Sequence, residues 1–423
     1  MTGFYEELKW RGLVYQLTHP EKIPALVNAP GLTVYAGFDP TADSLHVGSL
    51  VPLVMLARFQ RAGHRTIALL GGGTGLIGDP SGKTAERQLL SREQLEHNIA
   101  GIREQVGRIV DLESGRGLVL DNSTWLSTFP LTDFLRDVGK HFSVNMMLEK
   151  ESVRARIQDP SRGISFTEFS YMLLQSYDFL HLFTEYGCTL QVGGSDQWGN
   201  ITAGMELIRR VQGKEAFGLT VPLVTKADGT KFGKTESGNV WLSAERTSPY
   251  AFYQFFVRTD DRDVGRFLRM MTFVDEEEIT RLEDLVRDRP EAREAQKRLA
   301  WEVTRMVHGR EEADRAVRAS RVLFGGGLEE IDERTLLTIF ADVPSSRVDR
   351  TRLEGAGLAL AEILVETGLS RSKGMARKDA RGGGIYVNNV RTEDRALTIE
   401  DLILGKYLVL RKGKKHYHLV EVG

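Results

Sequence analysis

The sequence predicts an α/β protein: a doubly wound parallel sheet carrying a helical insertion, then an α-helical domain and a small α+β domain. Three observations predict it. Short β-rich apolar runs alternate with helical periodicity over residues 1–235. A charged helical stretch with no strong strand follows from Ser248 to about Ala341, within an expected α-helical domain at 236–341. Past a linker-like stretch at 342–355, residues 356–423 read as a compact helix, turn and hairpin unit.

The apolar runs Leu32–Gly37, Thr66–Leu70, Leu118–Leu120, Thr189–Val192 and Val221–Val224 read as buried parallel strands. Leu50–Ala62 and Arg92–Val110 read as crossover helices between them, giving a Rossmann-like layout with ligands at the carboxyl ends of the strands. The stretch from about 129 to 186 is too long for one crossover and reads as an inserted helical pair that includes Ser165–Tyr186. Beyond it, Pro249 suits the first turn of a helix and Glu276-Glu277-Glu278 an acidic helix start. Asp342-Val343-Pro344-Ser345-Ser346 has linker composition. In the last segment Leu358, Leu360, Ile363 and Leu364 form one apolar face, Gly382-Gly383-Gly384 breaks the chain, and Ile385–Val387 and Tyr407–Leu410 read as strands.

Composition narrows the function classes. At 423 residues the chain can hold two or three cores. No apolar run reaches the ~20 residues that span a bilayer, and the N-terminus lacks a signal-peptide core, so a cytoplasmic protein without a membrane partner is expected. Cys188 is the only cysteine, which rules out an internal disulfide and a cysteine-rich metal site. The net charge of −2 hides an asymmetry: residues 351–423 carry 13 Lys and Arg against 9 Asp and Glu. An acidic body with a basic tail suits a protein that handles a polyanion.

Two phosphate-handling segments then fall on one sheet. Asp39 to Ser49, containing His46-Val47-Gly48, follows the first parallel strand and opens a helix. Helix starts present outward N–H groups that favour anions, Gly48 lets a flat ring lie on the backbone, and His46 can donate to a phosphate oxygen. Lys231-Phe232-Gly233-Lys234-Thr235 follows the last strand and offers two ammonium groups and a hydroxyl on a glycine-containing loop. Together they point to ATP held from two sides. A third segment misleads: Gly73-Thr74-Gly75-Leu76-Ile77-Gly78 has dinucleotide-fingerprint spacing but runs into Asp79-Pro80 instead of a helix, and the overlapping Gly78-Asp79-Pro80-Ser81-Gly82-Lys83-Thr84 has one residue too few between its glycines for a P-loop.

The two segments resemble the signatures of class I aminoacyl-tRNA synthetases, and the chain as a whole is similar to the bacterial tyrosyl-tRNA synthetases. Tyr35–Thr41, Ile77–Lys83, Tyr171–Asp178, Gln191–Asn200, Ser248–Phe252 and Asp260–Phe267 carry that similarity. Gly368–Val390 resembles an S4-type RNA-binding module. Two departures stand out. The first signature reads His46-Val47-Gly48-Ser49, with Ser49 where much of the class has a second His, and Pro52 lies early in the helix that follows. The second reads Lys-Phe-Gly-Lys-Thr, a form the tyrosyl family itself uses.

The resemblance implies activation of L-tyrosine by ATP with Mg2+, then transfer to tRNA-Tyr by a homodimer with no tightly bound metal of its own. It assigns the ATP site to Thr41, His46, Gly48, Lys83, Arg87, Lys231, Lys234 and Thr235. Tyrosine would be held by Tyr35, Asp79, Tyr171, Gln175, Asp178, Gln191 and Gln197, and the ribose and adenylate by Gly37, Asp39, Gly194 and Asp196. Spacings of four and three place Tyr171, Gln175 and Asp178 on one helix face. In the tail, Arg371, Lys373, Arg377, Lys378, Arg381, Lys412 and Lys414 are the expected RNA contacts, with Arg411 and Lys415 beside them. Two alternatives stand at this point: a tryptophanyl enzyme of like architecture, disfavoured by a polar acceptor at Asp178, and a synthetase-like RNA-binding protein with a decayed site, disfavoured by intact His46, Lys231 and Lys234.

Overall fold

The computed structural model describes residues 3–79, 90–150, 153–154, 157, 164–230, 232–235, 238–323, 328, 331–340, 343–413 and 416–423, with backbone alone at 234, 235 and 323. The chain forms two compact units: Met1–Thr247 with Phe255–His308, and Ser248–Gln254 with Gly309–Gly423.

The first unit is built on a six-stranded sheet. Its strands are β1 (Gln16–Leu17), β2 (Thr33–Phe38), β3 (Arg65–Leu70), β4 (Gly117–Asp121), β5 (Cys188–Gly194) and β6 (Phe217–Val221), in spatial order β1-β6-β5-β2-β3-β4. All neighbours are parallel except β1, an antiparallel edge strand of two residues that the sequence did not suggest. From β2 the chain winds outward to β3 and β4, then returns to the far side of β2 to lay down β5 and β6. The order therefore reverses between β2 and β5, the place where such sheets open a ligand crevice. Register puts Tyr35 of β2 beside Gln191 of β5. The final strand lies earlier than the expected Val221–Val224: Phe217–Val221 is buried throughout, and Pro222 lacks the N–H to continue the ladder.

Helix Leu50–Arg61 is buried nearly all round because it packs between sheet and helices, whereas Arg92–Ile109 buries Leu95, Asn98, Ile102, Gln105 and Val106 along a single stripe. Among the described residues the insertion includes helices Leu131–Asp137, Val144–Glu149 and Phe166–Tyr186 and further helical residues at 153–154 and 157, more than the expected pair. The last of these starts where Ser165 Oγ accepts from Glu168 N and stops where Gly187 turns left-handed at φ 62°. Its Phe179 and Leu182 join Tyr35, Ile67 and Leu69 in the core beneath the crevice. Four further helices, Pro249–Val257, Asp261–Met271, Glu276–Asp288 and Glu294–His308, follow without a strand between them, as expected. The acidic start at Glu276 is capped by Asp275, whose carboxylate accepts from Glu278 N.

The second unit centres on a five-stranded sheet ordered Val390–Arg391, Ile385–Val387, Tyr407–Lys412, His416–Val422 and Ser345–Val348. That last strand lies inside the segment expected to be a linker. Its Pro-Ser-Ser composition resembles a loop, yet it pairs parallel with His416–Val422, over seventy residues later, and no local signal announces such a partner. Helices Leu360–Glu366 and Lys373–Arg381 cover one sheet face, burying Leu360, Ile363, Leu364, Ala376 and Ala380 on Ile385, Leu408, Leu410 and Val420. On the other face, Leu336, Ile339 and Phe340 pack with Tyr407, Val409 and Leu419.

Candidate active site

The carboxyl ends of β2 and β5 open into a cavity of about 370 Å³. All seven residues expected to hold tyrosine line it: Tyr35, Asp79, Tyr171, Gln175, Asp178, Gln191 and Gln197. So do Gly37, Asp39, Gly194 and Asp196, and, toward the first signature, Thr41, His46 and Gly48.

The floor is built around Asp178, which is 1% exposed. Its Oδ1 accepts from Trp125 Nε1 at 2.7 Å and its Oδ2 from Asn122 Nδ2 at 2.8 Å. Burial pushes the carboxyl up to about 7, against the pull of the Asn122 and Trp125 bonds, and Asp39 and Asp121 add to the rise. Beside it the Tyr35 hydroxyl is buried and has no hydrogen-bond partner among the described residues. Its pKa stands well above the ordinary value, first through burial and then through the Asp178 charge. Asn122 and Trp125 were missed by sequence reasoning. Asn122 follows β4 directly, so it lies at the carboxyl edge where ligand-contacting residues concentrate, and that position was the one available signal. Asn122 also accepts from Gly73 N at 2.7 Å, and Trp125 stacks on His181 with ring centroids 4.2 Å apart.

The wall is a polar relay. Gln197 donates to Asp79 at 2.8 Å and accepts from Gln175 at 3.2 Å and from Asn200 at 3.2 Å. The Tyr171 hydroxyl donates to Asp39 at 3.3 Å, and burial, ahead of the Asp39 and Asp79 charges, raises its pKa well above the usual value. A Cβ on Gly194 would fall 2.5 Å from Asp196 Oδ1, so a side chain there would displace that carboxylate.

At the mouth, Gly48 N donates to His46 Nδ1 at 3.0 Å. That bond assigns the proton of neutral His46 to Nε2, leaving Nε2–H as a donor. The second signature is joined to this loop by backbone pairing. Val47 N donates to Val240 O at 3.0 Å, Val240 N donates to Gly233 O at 3.0 Å, and His46 and Trp241 form an isolated bridge. Gly233 holds φ +87°, and a Cβ on it would meet Val47 at 2.7 Å. Lys234 and Thr235 form a short strand with Gly238–Asn239. Their side chains lie outside the described residues, as do Lys83, Arg87, Lys231, Lys414 and Lys415 entirely.

The tail separates its expected RNA contacts into two sets. Lys373 pairs with Glu362 at 2.7 Å, Arg377 with Asp394 at 3.3 Å and Lys412 with Asp379 at 2.6 Å. Arg371, Lys378 and Arg381 are exposed and have no ion-pair partner among the described residues. Arg411 lies over the Tyr386 ring at 3.8 Å.

The His46-Val47-Gly48 helix start at the mouth of a crevice in one doubly wound sheet is the arrangement of a class I tRNA synthetase. The family model for class I tRNA synthetases (W and Y) matches residues 28–325, and that for the tyrosine–tRNA ligase SYY-like C-terminal domain matches 336–420. The chain is 56% identical over 426 residues to the tyrosine–tRNA ligase of Roseiflexus castenholzii, with 100% of each chain covered. It is 54% identical to that of Geobacillus stearothermophilus, with 98% of each covered. Among solved structures, a C-terminally truncated mitochondrial tyrosyl-tRNA synthetase from Aspergillus nidulans superposes with a TM-score of 0.69 at 32% identity, covering 77% of this chain and 95% of its own. The chain belongs to the tyrosine–tRNA ligase family.

Proposed function

We propose that this chain activates L-tyrosine with ATP, releasing pyrophosphate, and transfers the tyrosyl group to the 3′ end of tRNA-Tyr in the cytoplasm. The observation that carries the choice of amino acid is the buried pair at the cavity floor. The Tyr35 hydroxyl has no hydrogen-bond partner among the described residues, and Asp178 presents an acceptor beside it. A phenol hydroxyl can donate to Asp178 and accept from Tyr35. Phenylalanine would leave the Tyr35 hydroxyl unpaired and give Asp178 no bond beyond those from Trp125 and Asn122, at a cost of roughly 1–3 kcal/mol for the buried hydroxyl. An indole has no hydroxyl to satisfy the pair, which disfavours the tryptophanyl reading.

The relay of Asp79, Gln175 and Gln197, with Tyr171, suits the α-ammonium group. Its anionic member supplies charge and the amides supply oriented dipoles. With the ammonium held, the tyrosine carboxylate is directed at the α-phosphate of ATP, which enters as its Mg2+ salt with the metal as part of the substrate. Gly37, Asp39, Gly194 and Asp196 offer space and acceptors for the adenylate ribose. Attack is in line, the phosphorus–oxygen bond to pyrophosphate breaks, and no enzyme nucleophile is needed. The protein contributes position and charge stabilisation: His46 through Nε2–H, Gly48 by close approach, Thr41 by its hydroxyl, and Lys83, Arg87, Lys231, Lys234 and Thr235 on the leaving phosphates. The terminal ribose hydroxyl of tRNA then attacks the activated carbonyl and AMP departs.

Arg371, Lys378 and Arg381 are the tail cations best placed for RNA phosphate, because Lys373, Arg377 and Lys412 already serve internal acids. A homodimer is supported by the large apolar side chains exposed on the insertion, Leu131, Leu135, Val144 and Phe166. The deciding experiment is amino-acid-dependent exchange of pyrophosphate into ATP with tyrosine, phenylalanine and tryptophan in turn. Exchange with tyrosine alone, together with charging of tRNA-Tyr, is the expected result, and exchange with tryptophan or with none of the three refutes the proposal.

A further inference from the structure

The lysine loop does not hang from the sheet alone. Its stem, Thr225–Ala227, is gripped by helix Asp261–Met271. Ala227 N donates to Asp263 Oδ2 at 2.8 Å, Arg266 Nη2 donates to Asp263 Oδ1 at 2.9 Å, and the same Nη2 donates to the Thr225 carbonyl. Four residues along from Asp263, Phe267 sets its ring 4.6 Å from that of Phe232, inside the loop motif itself. Asp263, Arg266 and Phe267 stand at i, i+3 and i+4, so one helix face supplies an acceptor, a donor and an apolar seat. Asp263 is 3% exposed, so its charge is compensated by these partners and hardly by water.

Between stem and motif the chain makes a tight turn. Gly229 N donates to Lys226 O and Lys226 N to Thr230 O, while the Asp228 carboxylate accepts from Thr230 N. The exit of the loop is fixed at Val240, which pairs with Val47 beside His46. The far end of the gripping helix is also tied back to the first signature. Arg58, on the helix that begins beside His46, donates to the carbonyls of Arg269 and Thr272, and Arg11 donates to that of Val274 at 3.0 Å. Helices Leu50–Arg61 and Asp261–Met271 thus form a frame with one phosphate-handling segment at each free end.

We propose that Asp263 and Arg266 are positioning residues for tyrosine activation: they fix the stem of the lysine loop, at Thr225–Ala227, and with Phe267 its Phe232, relative to His46. The inference rests on the adenylate-forming reading of the site. Neither residue lines the cavity, so each acts through the loop. Their removal therefore lowers the rate of the chemical step and leaves amino-acid binding alone.

The test uses the full chain and single-turnover adenylate formation, with the tyrosine dissociation constant and thermal midpoint measured on the same samples. Asp263→Ala removes both partners. Asp263→Asn keeps an oxygen for Ala227 N–H, and Arg266→Lys removes the forked donor. We expect Asp263→Ala to lower the first-order rate roughly 10- to 100-fold, the scale of a small misplacement of catalytic groups. Tyrosine affinity should stay within about twofold of wild type, and Asp263→Asn should recover much of the rate. In a Lys234→Ala background, Asp263→Ala should add little, because the two changes act through one element. Should Asp263→Ala not fold, Asp263→Asn and Arg266→Lys carry the same comparison. A wild-type rate in the folded variants overturns the inference. So does a parallel fall in tyrosine affinity, or full additivity with Lys234→Ala, since these mark general structural damage. An inactive wild-type protein overturns the adenylate reading and the inference with it.

Discussion

The indole Nε1 of Trp125 donates to Oδ1 of Asp178 at 2.7 Å, fifty-three residues away in sequence. With Asn122 on the other oxygen, it orients the carboxylate and limits how far burial can raise its pKa. The first prediction removes that donor. Trp125→Phe keeps an aromatic ring against His181 but takes away the N–H. The preference for tyrosine over phenylalanine should fall roughly tenfold, the equivalent of one lost hydrogen bond to a charged group at about 1.5 kcal/mol. Exchange rates with the two amino acids check it, and an unchanged ratio would mean that the bond contributes nothing to selectivity.

The second prediction concerns pH. The folded carboxyl of Asp178 titrates near 7, above its ordinary 3.8. The folded state therefore keeps a proton on this group that the unfolded chain releases. Asp178's contribution to stability is fully present below about pH 4 and is lost as pH rises through about 7. Other carboxylates titrate in the same window, so the comparison must be differential. Urea midpoints of wild type and Asp178→Asn between about pH 5 and 8 should diverge in favour of the variant up to about 7 and then run parallel. A difference independent of pH refutes the assignment. On the same ground, tyrosine preference over phenylalanine should strengthen as pH rises through 7, because the ionised carboxylate is the better acceptor for a phenol.

Lys234 follows Gly233, which lies against Val47, and opens the short strand that pairs with Gly238–Asn239. Lys234→Ala should lower single-turnover activation by roughly 100-fold while leaving tyrosine affinity unchanged, the pattern of a charge used in the transition state. Quenched-flow adenylate formation and equilibrium tyrosine binding together decide it.

In the tail the useful variant is a charge change, not a truncation. Cutting after Val343 would strip Leu336, Ile339 and Phe340 of Tyr407, Val409 and Leu419, exposing a core. Replacing Arg371, Lys378 and Arg381 by Ala instead should weaken tRNA binding and charging while activation is unaffected. The slope of log affinity against log salt should flatten by about 2–3, close to one unit per lost phosphate contact. The matching control is Lys373, Arg377 and Lys412 to Ala, where cations already paired with acids should change the slope less.

Phe166 is 78% exposed at the first turn of the long insertion helix, and Leu131, Leu135 and Val144 of the same insertion are exposed as well. Phe166→Asp should shift sedimentation toward the monomer if this surface is covered by a second copy. A variant that sediments like wild type removes Phe166 from the interface.

Much of this was legible in the sequence because it rests on local physics. Alternating apolar runs and helical periods located β2 to β5 and helix Leu50–Arg61 to within about three residues. The face shared by Tyr171, Gln175 and Asp178 follows from helix geometry alone, and the His46-Val47-Gly48 start follows from a strand running into a helix. What the sequence could not decide are encounters between distant segments. Nothing local distinguishes Asn122 or Trp125 from any polar or aromatic residue after a strand, and they matter only because the fold sets them against Asp178. Ser345–Val348 becomes a strand only because His416–Val422 offers it an edge. Lys373, Arg377 and Lys412 are bare cations in a charge count, and only folding brings Glu362, Asp394 and Asp379 within ion-pair distance of them. The grip of Asp263 on Ala227 is of the same kind: a residue's type and spacing determine what it can do, and the tertiary structure decides which partner it meets at hydrogen-bonding distance, where interactions of short range take effect.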